Sequence, residues 1–294
     1  MLPIIGVLVV FGAIIGGYLM EHGQLGVLVQ PAELVIIGGA VVGTMLISNP
    51  VYVLKALGGG VGRVFKPEEW NKSRYLETLQ MLFKLFTSAR TEGAAKLEAD
   101  IEQPENSAIF TPYPWFLKDH RASRYLSDTL RLYMLGGIAP HQIDRAMEID
   151  DETHDAEATL PVSALQTAAD SLPGLGIVAA VLGIVITMGA LGGPPEEIGH
   201  KVAAALVGTF LGILLCYGFL GPIATRISQV NEADAQYYGC LRNGIQAFVR
   251  GDAPIVAVEF ARRSIPDRLR PSFQEMEQAC KKAKDAPAAE ATAA

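Results

Sequence analysis

Four long stretches of the chain carry no charged side chain and contrast with polar surroundings. Residues 1–20, 34–54, 172–195 and 202–225 contain no Asp, Glu, Lys or Arg. A helix rises about 1.5 Å per residue, so about 20 residues cross the roughly 30 Å hydrocarbon core of a bilayer. The pattern predicts an all-α integral membrane protein with four transmembrane helices.

The segment between the second and third of these stretches, residues 55–171, has the periodicity of packed helices. Over the first predicted helix, apolar residues recur every three or four positions, at Leu76, Leu79, Leu82, Phe83 and Phe86. A second helix is predicted over about residues 122–135, with an inner face of Tyr125, Thr129, Leu132 and Tyr133. A third is predicted over about 142–165. These helices predict a large cytoplasmic helical domain.

The ends of the last two spans carry helix-boundary residues. Asp170 or Ser171 is predicted to cap the third span, with Pro173 in its first turn, where the missing N–H has no partner to lose. Gly221 and Pro222 are predicted to close the fourth span. Residues 226–280 predict a C-terminal cytoplasmic helical region. Residues 281–294 lack periodicity and predict a disordered tail.

Basic residues predict the orientation of the spans. Of the 24 Lys and Arg residues, 13 lie between Lys55 and Arg145, and ten lie from Arg226 onward. The short links between the first two and the last two spans hold only Lys201 among them. By the positive-inside rule both short links face outward, and both termini are cytoplasmic.

Pairs of glycines four residues apart recur in the spans, a spacing that allows close helix approach. The pairs are Gly12 with Gly16, Gly39 with Gly43, Gly189 with Gly193, and Gly208 with Gly212. Two explanations stay open: packing within one chain, or packing between copies of the chain.

Catalytic, metal-binding and cofactor-binding patterns are not found. The five histidines have no i, i+4 partner, and the three cysteines have neither metal nor redox spacing. The acidic run at residues 150–157 is interpreted as a solvated helix face. A net charge of −7 argues against a nucleic-acid partner. The chain is therefore not expected to be an enzyme.

Ionisable residues are also missing from the four uncharged stretches, with Glu33 assigned to the outer link. Ion carriers place such a group at bilayer depth, where it is costly and therefore functional. If the chain conducts ions, a partner is expected to supply the titrating group. Two functions remain open from the residues alone: one wall of a multi-subunit ion pathway, or a membrane scaffold with a cytoplasmic docking domain.

Several motifs resemble the MotA family of flagellar stator subunits, in order and along nearly the whole chain. They are QPAELVIIGG at 30–39, DSLPGLGIVAAVLG at 170–183, VGTFLGILL at 207–215 followed by Gly218 and Pro222, AVEF at 257–260 and RPSF at 270–273. The resemblance is greatest to the longer, proton-type members of the family.

The resemblance implies a bacterial inner-membrane protein that converts ion flow into torque. Several copies, five being expected, would form a ring in membrane lipid around a dimer of MotB, a single-span protein anchored to peptidoglycan. A MotB aspartate would carry the proton, and the ring would push the rotor protein FliG.

Site residues follow from the same resemblance, position by position. Arg90 and Glu98 match the charged pair that contacts FliG, although without the resemblance an ordinary solvated surface would be the favoured explanation. Pro173 and Pro222 match prolines that couple ion flow to movement, with helix capping as the alternative. Thr209, Ala180 and Tyr217 are expected to line the ion pathway. Because Ala180 occupies the slot where sodium-type relatives have Thr, we expect protons as the transported ion.

Two rival functions fit the sequence less well than a stator subunit. An energiser of envelope transport of the ExbB or TolQ kind would have three spans and a different order of loops. An autonomous channel or transporter subunit would favour intramembrane charges or an inverted repeat, and neither is seen in the sequence.

Overall fold

The computed structural model describes residues 2–189, 192 and 194–285, and the regular structure of that part is helical throughout. The chain divides into two compact units. Unit 1 comprises Met1–Pro67 and Ala156–Asn231, and unit 2 comprises Glu68–Asp155 and Glu232–Ala294.

The helices follow one another along the whole chain. In order they are α1 (Leu2–Met20), α2 (Leu25–Leu28), α3 (Pro31–Ser48), α4 (Val51–Val64), α5 (Lys72–Thr91), α6 (Ala94–Glu102), α7 (Pro114–Lys118), α8 (His120–Met134), α9 (Pro140–Met188), α10 (Pro195–Leu214), α11 (Gly221–Val249), α12 (Pro254–Ser264) and α13 (Phe273–Asp285). A π-helical turn, Leu215–Leu220, joins α10 to α11 without a break.

Four helical segments of the described chain are long and apolar enough to cross a membrane, which confirms the predicted fold class. They are Leu2–Met20, Leu25–Ser48, Pro140–Met188 and Pro195–Val249, the second including α2 and α3, and the fourth α10, the π-turn and α11. In α1 no residue is buried within the chain, so its apolar side chains are available to lipid or to other subunits.

The second span ends earlier than predicted. Instead of continuing to Leu54, α3 ends at Ser48, and Asn49 caps it by donating from its backbone N and from Nδ2 to Met45 O. Pro50 is extended, and α4 begins at Val51. Proline disfavours helical geometry in the residue before it, which explains the break between α3 and α4.

The predicted helix start and cap at residues 170–173 are wrong, because α9 runs through them. Pro161 and Pro173 both lie inside this 49-residue helix, and Ser171 donates to Ala168 O within the helix instead of capping its start. The helix also does not end at Gly221 and Pro222, since α11 continues to Val249, and the end of the fourth span at these residues stays a prediction.

Unit 1 buries small and branched residues where α3, α4, α9 and the segment after α10 meet. One cluster includes Ile37 of α3, Leu172 and Ala179 of α9, and Cys216. A second cluster includes Leu57 of α4 and Ile227 of α11. These contacts hold the inner faces of the spans together.

Unit 2 has an aromatic core that the helical stripe of α5 largely predicts. Leu79, Leu82 and Phe86 are fully buried. Phe86 stacks on Phe248 with ring centroids 4.5 Å apart. In α8 the inner face was predicted only in part, since Tyr133 is 38% exposed.

The C-terminal helix α13 extends into the predicted tail. Ser272 and Glu275 form a capping box, in which Glu275 N donates to Ser272 Oγ and Ser272 N donates to Glu275 Oε2. The helix continues through Asp285, so residues 281–285 are not part of a tail. Residues 286–294 lie outside the described residues.

Candidate functional site

In unit 1, the crossing of α9 and α10 brings two helix backbones into direct contact. A Cβ built on Gly212 would lie 2.5 Å from Leu172 O, and one built on Gly176 would lie 2.8 Å from Gly208 O. No side chain larger than hydrogen fits at Gly176 or Gly212 without moving a helix. Of the glycine pairs in the spans, Gly208 and Gly212 therefore pack within the chain.

The glycine pairs of α1 and α3 have open space around them within the chain. Cβ atoms built on Gly12, Gly16, Gly39 and Gly43 would meet no atom within 4 Å. The structure thus distinguishes glycine pairs that pack within the chain from pairs that do not. The sequence pattern could not do so, because the same four-residue spacing occurs on helix faces with different surroundings.

Two of the three predicted pathway residues lie on this crossing. Ala180 is 7% exposed and lies one helical turn after Gly176 on α9. Thr209 on α10 is half-buried, and a Cβ built on Gly176 would lie 3.3 Å from its Cα. Tyr217, on the π-turn, is 72% exposed and is not brought to the crossing.

A buried carboxyl group, Glu33, lies against the same two helices. It is in the first turn of α3 and is 7% exposed. A Cβ built on Gly208 would lie 2.6 Å from its Oε2, and one built on Gly183 would lie 3.6 Å from its Oε1. The expectation that no span holds an ionisable residue is therefore wrong, since Glu33 belongs to the helix and not to the outer link.

A sequence signal for Glu33 was present in the residues before it. Pro31 is favoured at the first position of a helix, and acidic residues are favoured in its first turn. Gln30-Pro31-Ala32-Glu33 has both features, so the helix begins before Glu33 and not after it.

The two predicted coupling prolines occupy different kinds of position. Pro173 lies inside α9, where it cannot donate to Ala169 O, and capping does not explain it. Pro222 is the second residue of α11, directly after the π-turn. It lines a cavity of about 670 Å³ together with Asp170, Tyr217 and Arg226.

The predicted rotor residues are in unit 2, on two helices joined by a tight turn. Arg90 is in the last turn of α5 and Glu98 is in α6, and both are exposed. Gly93 separates the helices with a φ of 86°, which glycine adopts without strain. Arg90 Nη1 donates to Asp252 O at 3.4 Å, so its guanidinium lies beside the α11–α12 turn.

The acidic run in α9 is predicted as a solvated face, and one of its members is only partly solvated. Asp151 is half-buried, accepts a hydrogen bond from Tyr125 Oη at 3.3 Å and lies 3.7 Å from Arg242 Nη1. Arg242 Nε also donates to Asp144 at 2.9 Å. Asp151 therefore has a structural role in unit 2.

Comparisons with known proteins agree along the chain. Residues 4–93 match the motility protein A N-terminal family model, and residues 118–238 match that of the MotA/TolQ/ExbB proton channel family. Motility protein A of Salmonella typhimurium and that of Escherichia coli are each 41% identical over 278 residues, covering 95% of this chain and 94% of theirs. Chemotaxis protein LafT of Vibrio parahaemolyticus is 38% identical, covering 93% of this chain and 96% of its own.

Solved structures share the fold at lower identity. The flagellar MotAB stator complex from Bacillus subtilis matches with a TM-score of 0.69 at 23% identity, over 87% of this chain and 92% of that one. The C. jejuni MotAB structure matches with a TM-score of 0.74 at 18% identity, over 92% and 97%.

The four long apolar helices identify a membrane protein, and the match to the MotA/TolQ/ExbB family model places it in the proton-channel class. Within that class, the chain belongs to the motility protein A family. Its relatives are motility proteins and its family is one of membrane proton channels, not of enzymes.

Proposed function

We propose that this chain, together with a MotB-like partner, forms a proton-conducting stator that applies torque to the flagellar rotor. The observation that carries the proposal is the 41% identity to motility protein A over 95% of the chain, with the α9–α10 crossing inside the matched part. The partner is a single-span protein anchored to peptidoglycan, and its aspartate carries the proton through the assembly.

The assembly is a ring of five copies around a partner dimer. Glycines on α1 and α3 support packing between subunits, because a Cβ built on Gly12, Gly16, Gly39 or Gly43 would meet no atom of the chain within 4 Å, so that another helix can approach closely there. The outward apolar surface of α1 supports the same conclusion, since lipid and neighbouring helices are its available contacts.

The proton path follows the α9–α10 crossing past Thr209 and Ala180, with Tyr217 on the surface that meets the partner. A sodium ion requires several oxygen ligands, and the methyl group of Ala180 supplies none. The polar groups at this crossing therefore suit a proton better than a metal cation.

Pro173 and Pro222 let the helices bend during a conduction cycle. A proline inside a helix leaves a carbonyl without its usual donor and weakens the helix locally. One proton crossing a potential of 100 mV releases about 2.3 kcal/mol, which suits a small bend at such a point better than a large rearrangement.

Arg90 and Glu98 contact charged residues of the rotor protein FliG. Exposed ion pairs contribute about 0–1 kcal/mol each, so contacts of this kind form and break repeatedly. Complementary charges also speed and orient the encounter.

The chain lies in the bacterial inner membrane with both termini in the cytoplasm. The support for this orientation is the concentration of Lys and Arg between Lys55 and Arg145 and after Arg226.

Deleting the gene and staining the filaments tests this function. We expect cells with normal filaments that do not rotate, and rotation restored by the intact gene. Paralysed cells without filaments would contradict a stator role, because a stator is not needed to build the filament. Cells that swim normally, with no second stator set, would point instead to energising envelope transport.

A further inference from the structure

Glu33 is a carboxyl group within a membrane-spanning segment of unit 1, and the proposed proton path assigns it no role. Glu33 contacts α9 near Gly183, five residues before the end of α9 at Met188. On α10 it contacts Gly208, six residues after the uncharged stretch begins at Val202. At about 1.5 Å per residue, the carboxyl group is about 7 Å inside the end of α9 and about 9 Å inside the start of the uncharged stretch of α10.

The walls around this carboxyl group are small and apolar. A Cβ on Gly208 would approach both Glu33 Oε2 and the Ala179 side chain, and a Cβ on Gly183 would approach both Ala205 and Glu33. Among the described residues, Oε2 has no hydrogen-bond partner. A carboxyl group buried without a partner is costly, and leucine would fill the same space at lower cost.

Ionisable groups on the elements packed around Glu33 are distant or already paired. After Asp170, the rest of α9 contains none, and α2, which packs on α10, contains none. On α10 the nearest is Lys201, one turn outward from Ala205, and its Nζ lies 2.9 Å from Glu197 Oε1. Within the part of the chain that the structure describes, no cation therefore pairs with Glu33 and holds it permanently ionised.

Two opposing influences allow Glu33 to exist both with and without a proton. The apolar walls favour the neutral acid. The first turn of α3, where the helix dipole is positive, favours the carboxylate. A group that is balanced between its two states can take up and release a proton during a cycle.

We propose that Glu33 is a proton-binding residue of the ion path, on the outer side of the carboxylate that the proposed function assigns to the partner. Glu33 Oε2 takes a proton from a hydronium ion arriving from the outer solution and leaves a water molecule. The neutral acid then gives this proton to a water molecule on the inner side, which becomes hydronium, and the carboxylate is restored. The inference rests on the proposed function, since it needs that path.

Substitution of the buried acid in the assembled complex tests the inference. Glu33→Gln keeps the shape of the side chain and cannot bind a proton. We expect proton uptake by liposomes containing this chain and its partner to fall at least tenfold per complex. Glu33→Asp retains the acid with one methylene less and is expected to keep a measurable flux with a displaced pH dependence.

The matched control is Glu21→Gln, which removes an exposed acid from the same outer end of the molecule. It is expected to leave flux unchanged. Infrared difference spectra of the complex add a readout besides flux: acidification should produce a protonated-carboxyl band that is missing in Glu33→Gln.

Each outcome decides between the inference and its rivals. Unchanged proton flux per complex in Glu33→Gln would overturn the inference. If that variant gave less complex in the membrane but the same flux per complex, Glu33 would be a packing residue only. If Glu33→Gln does not accumulate in the membrane, Glu33→Asp decides: wild-type flux with a wild-type pH dependence would overturn it. A wild-type complex that conducts no protons would contradict the proposed function itself.

Discussion

Two glutamates show how strongly the surroundings of a carboxyl group determine its role. Glu259 in α12 accepts hydrogen bonds from Arg262 Nε at 2.7 Å and from Arg263 Nε at 2.8 Å. These hydrogen bonds, that from Arg262 above all, hold the pKa of Glu259 below its usual value. Arg262 also donates to Pro271 O at 2.9 Å and so connects α12 to the segment before α13. Glu33 has apolar walls in place of such donors.

Replacing Glu259 with Gln is expected to destabilise the protein by about 1–2 kcal/mol at pH 7, because charge-assisted hydrogen bonds are lost. Since the pKa of Glu259 is lowered on folding, its contribution is present above the unfolded-state value near 4.5 and is lost as pH falls through the folded-state value. Thermal unfolding of the detergent-purified chain at several pH values measures this.

The control for that experiment is Glu277→Gln. Glu277 pairs with Lys281 one turn later on α13, and Lys281 is 70% exposed, so removing this pair is expected to cost less than about 0.5 kcal/mol. Equal losses of unfolding free energy in Glu259→Gln and Glu277→Gln would mean that the hydrogen bonds from Arg262 stabilise the protein no more than an exposed ion pair does.

At the scale of elements, contact between the α9 and α10 backbones depends on the absence of a side chain. Gly212→Ala would place a methyl group 2.5 Å from Leu172 O, against backbone that cannot turn away. We expect a loss of about 1–3 kcal/mol in the stability of the chain, seen as a lower melting temperature in detergent.

Gly174→Ala is the matched control for the crossing. Gly174 lies on α9 two residues before Gly176, and a Cβ there would meet nothing within 4 Å. Alanine favours the helix over glycine, so this variant is expected to melt at the same temperature or slightly higher. Equal destabilisation of both variants would contradict the close crossing.

Pro173 destabilises α9 and is also the point at which we propose that this helix bends. Pro173→Ala restores the donor to Ala169 O and is expected to stabilise α9 by up to about 3 kcal/mol. We expect torque to fall nonetheless, because the bending point is lost. Melting temperature and the rotation of tethered cells measure the two effects.

Pro161→Ala separates the general effect of a proline from the particular one. Pro161 also lies inside α9, but before the uncharged stretch. A similar gain in stability with normal torque is expected there. Full torque in Pro173→Ala would leave no coupling role for Pro173.

At the scale of the whole molecule, unit 2 presents the charges proposed to meet the rotor. Arg90→Glu or Glu98→Lys is expected to impair swimming strongly while membrane levels of the protein stay normal, since both side chains are exposed. Glu102→Lys, on the exposed face of the same helix α6, is the control and is expected to swim normally. Normal torque in a doubly reversed Arg90→Glu, Glu98→Lys protein would remove this role.

Ion choice is a second property of the whole assembly. We expect swimming speed to be independent of external sodium and to depend on the proton gradient, because Ala180 offers no oxygen to a cation. Speed measured over a sodium series at constant pH checks this, and a steep rise with sodium would contradict it.

Periodicity and composition predicted much of the architecture. Hydrophobicity adds up along consecutive residues, so stretches such as 1–20 and 202–225 identify spans without any knowledge of their neighbours. The stripe containing Leu79, Leu82 and Phe86 predicted the buried face of α5 for a similar reason, since a helix repeats every 3.6 residues.

The sequence by itself therefore determined the fold class and the family. Only the tertiary structure decided that α9 passes through Pro173, that Gly208 and Gly212 pack within the chain, and that Glu33 is buried. The physical reason is that burial depends on which helices meet. The carboxyl group of Glu33 is enclosed by residues of α9 and α10, far away in the sequence, and no local pattern around Glu33 records that contact.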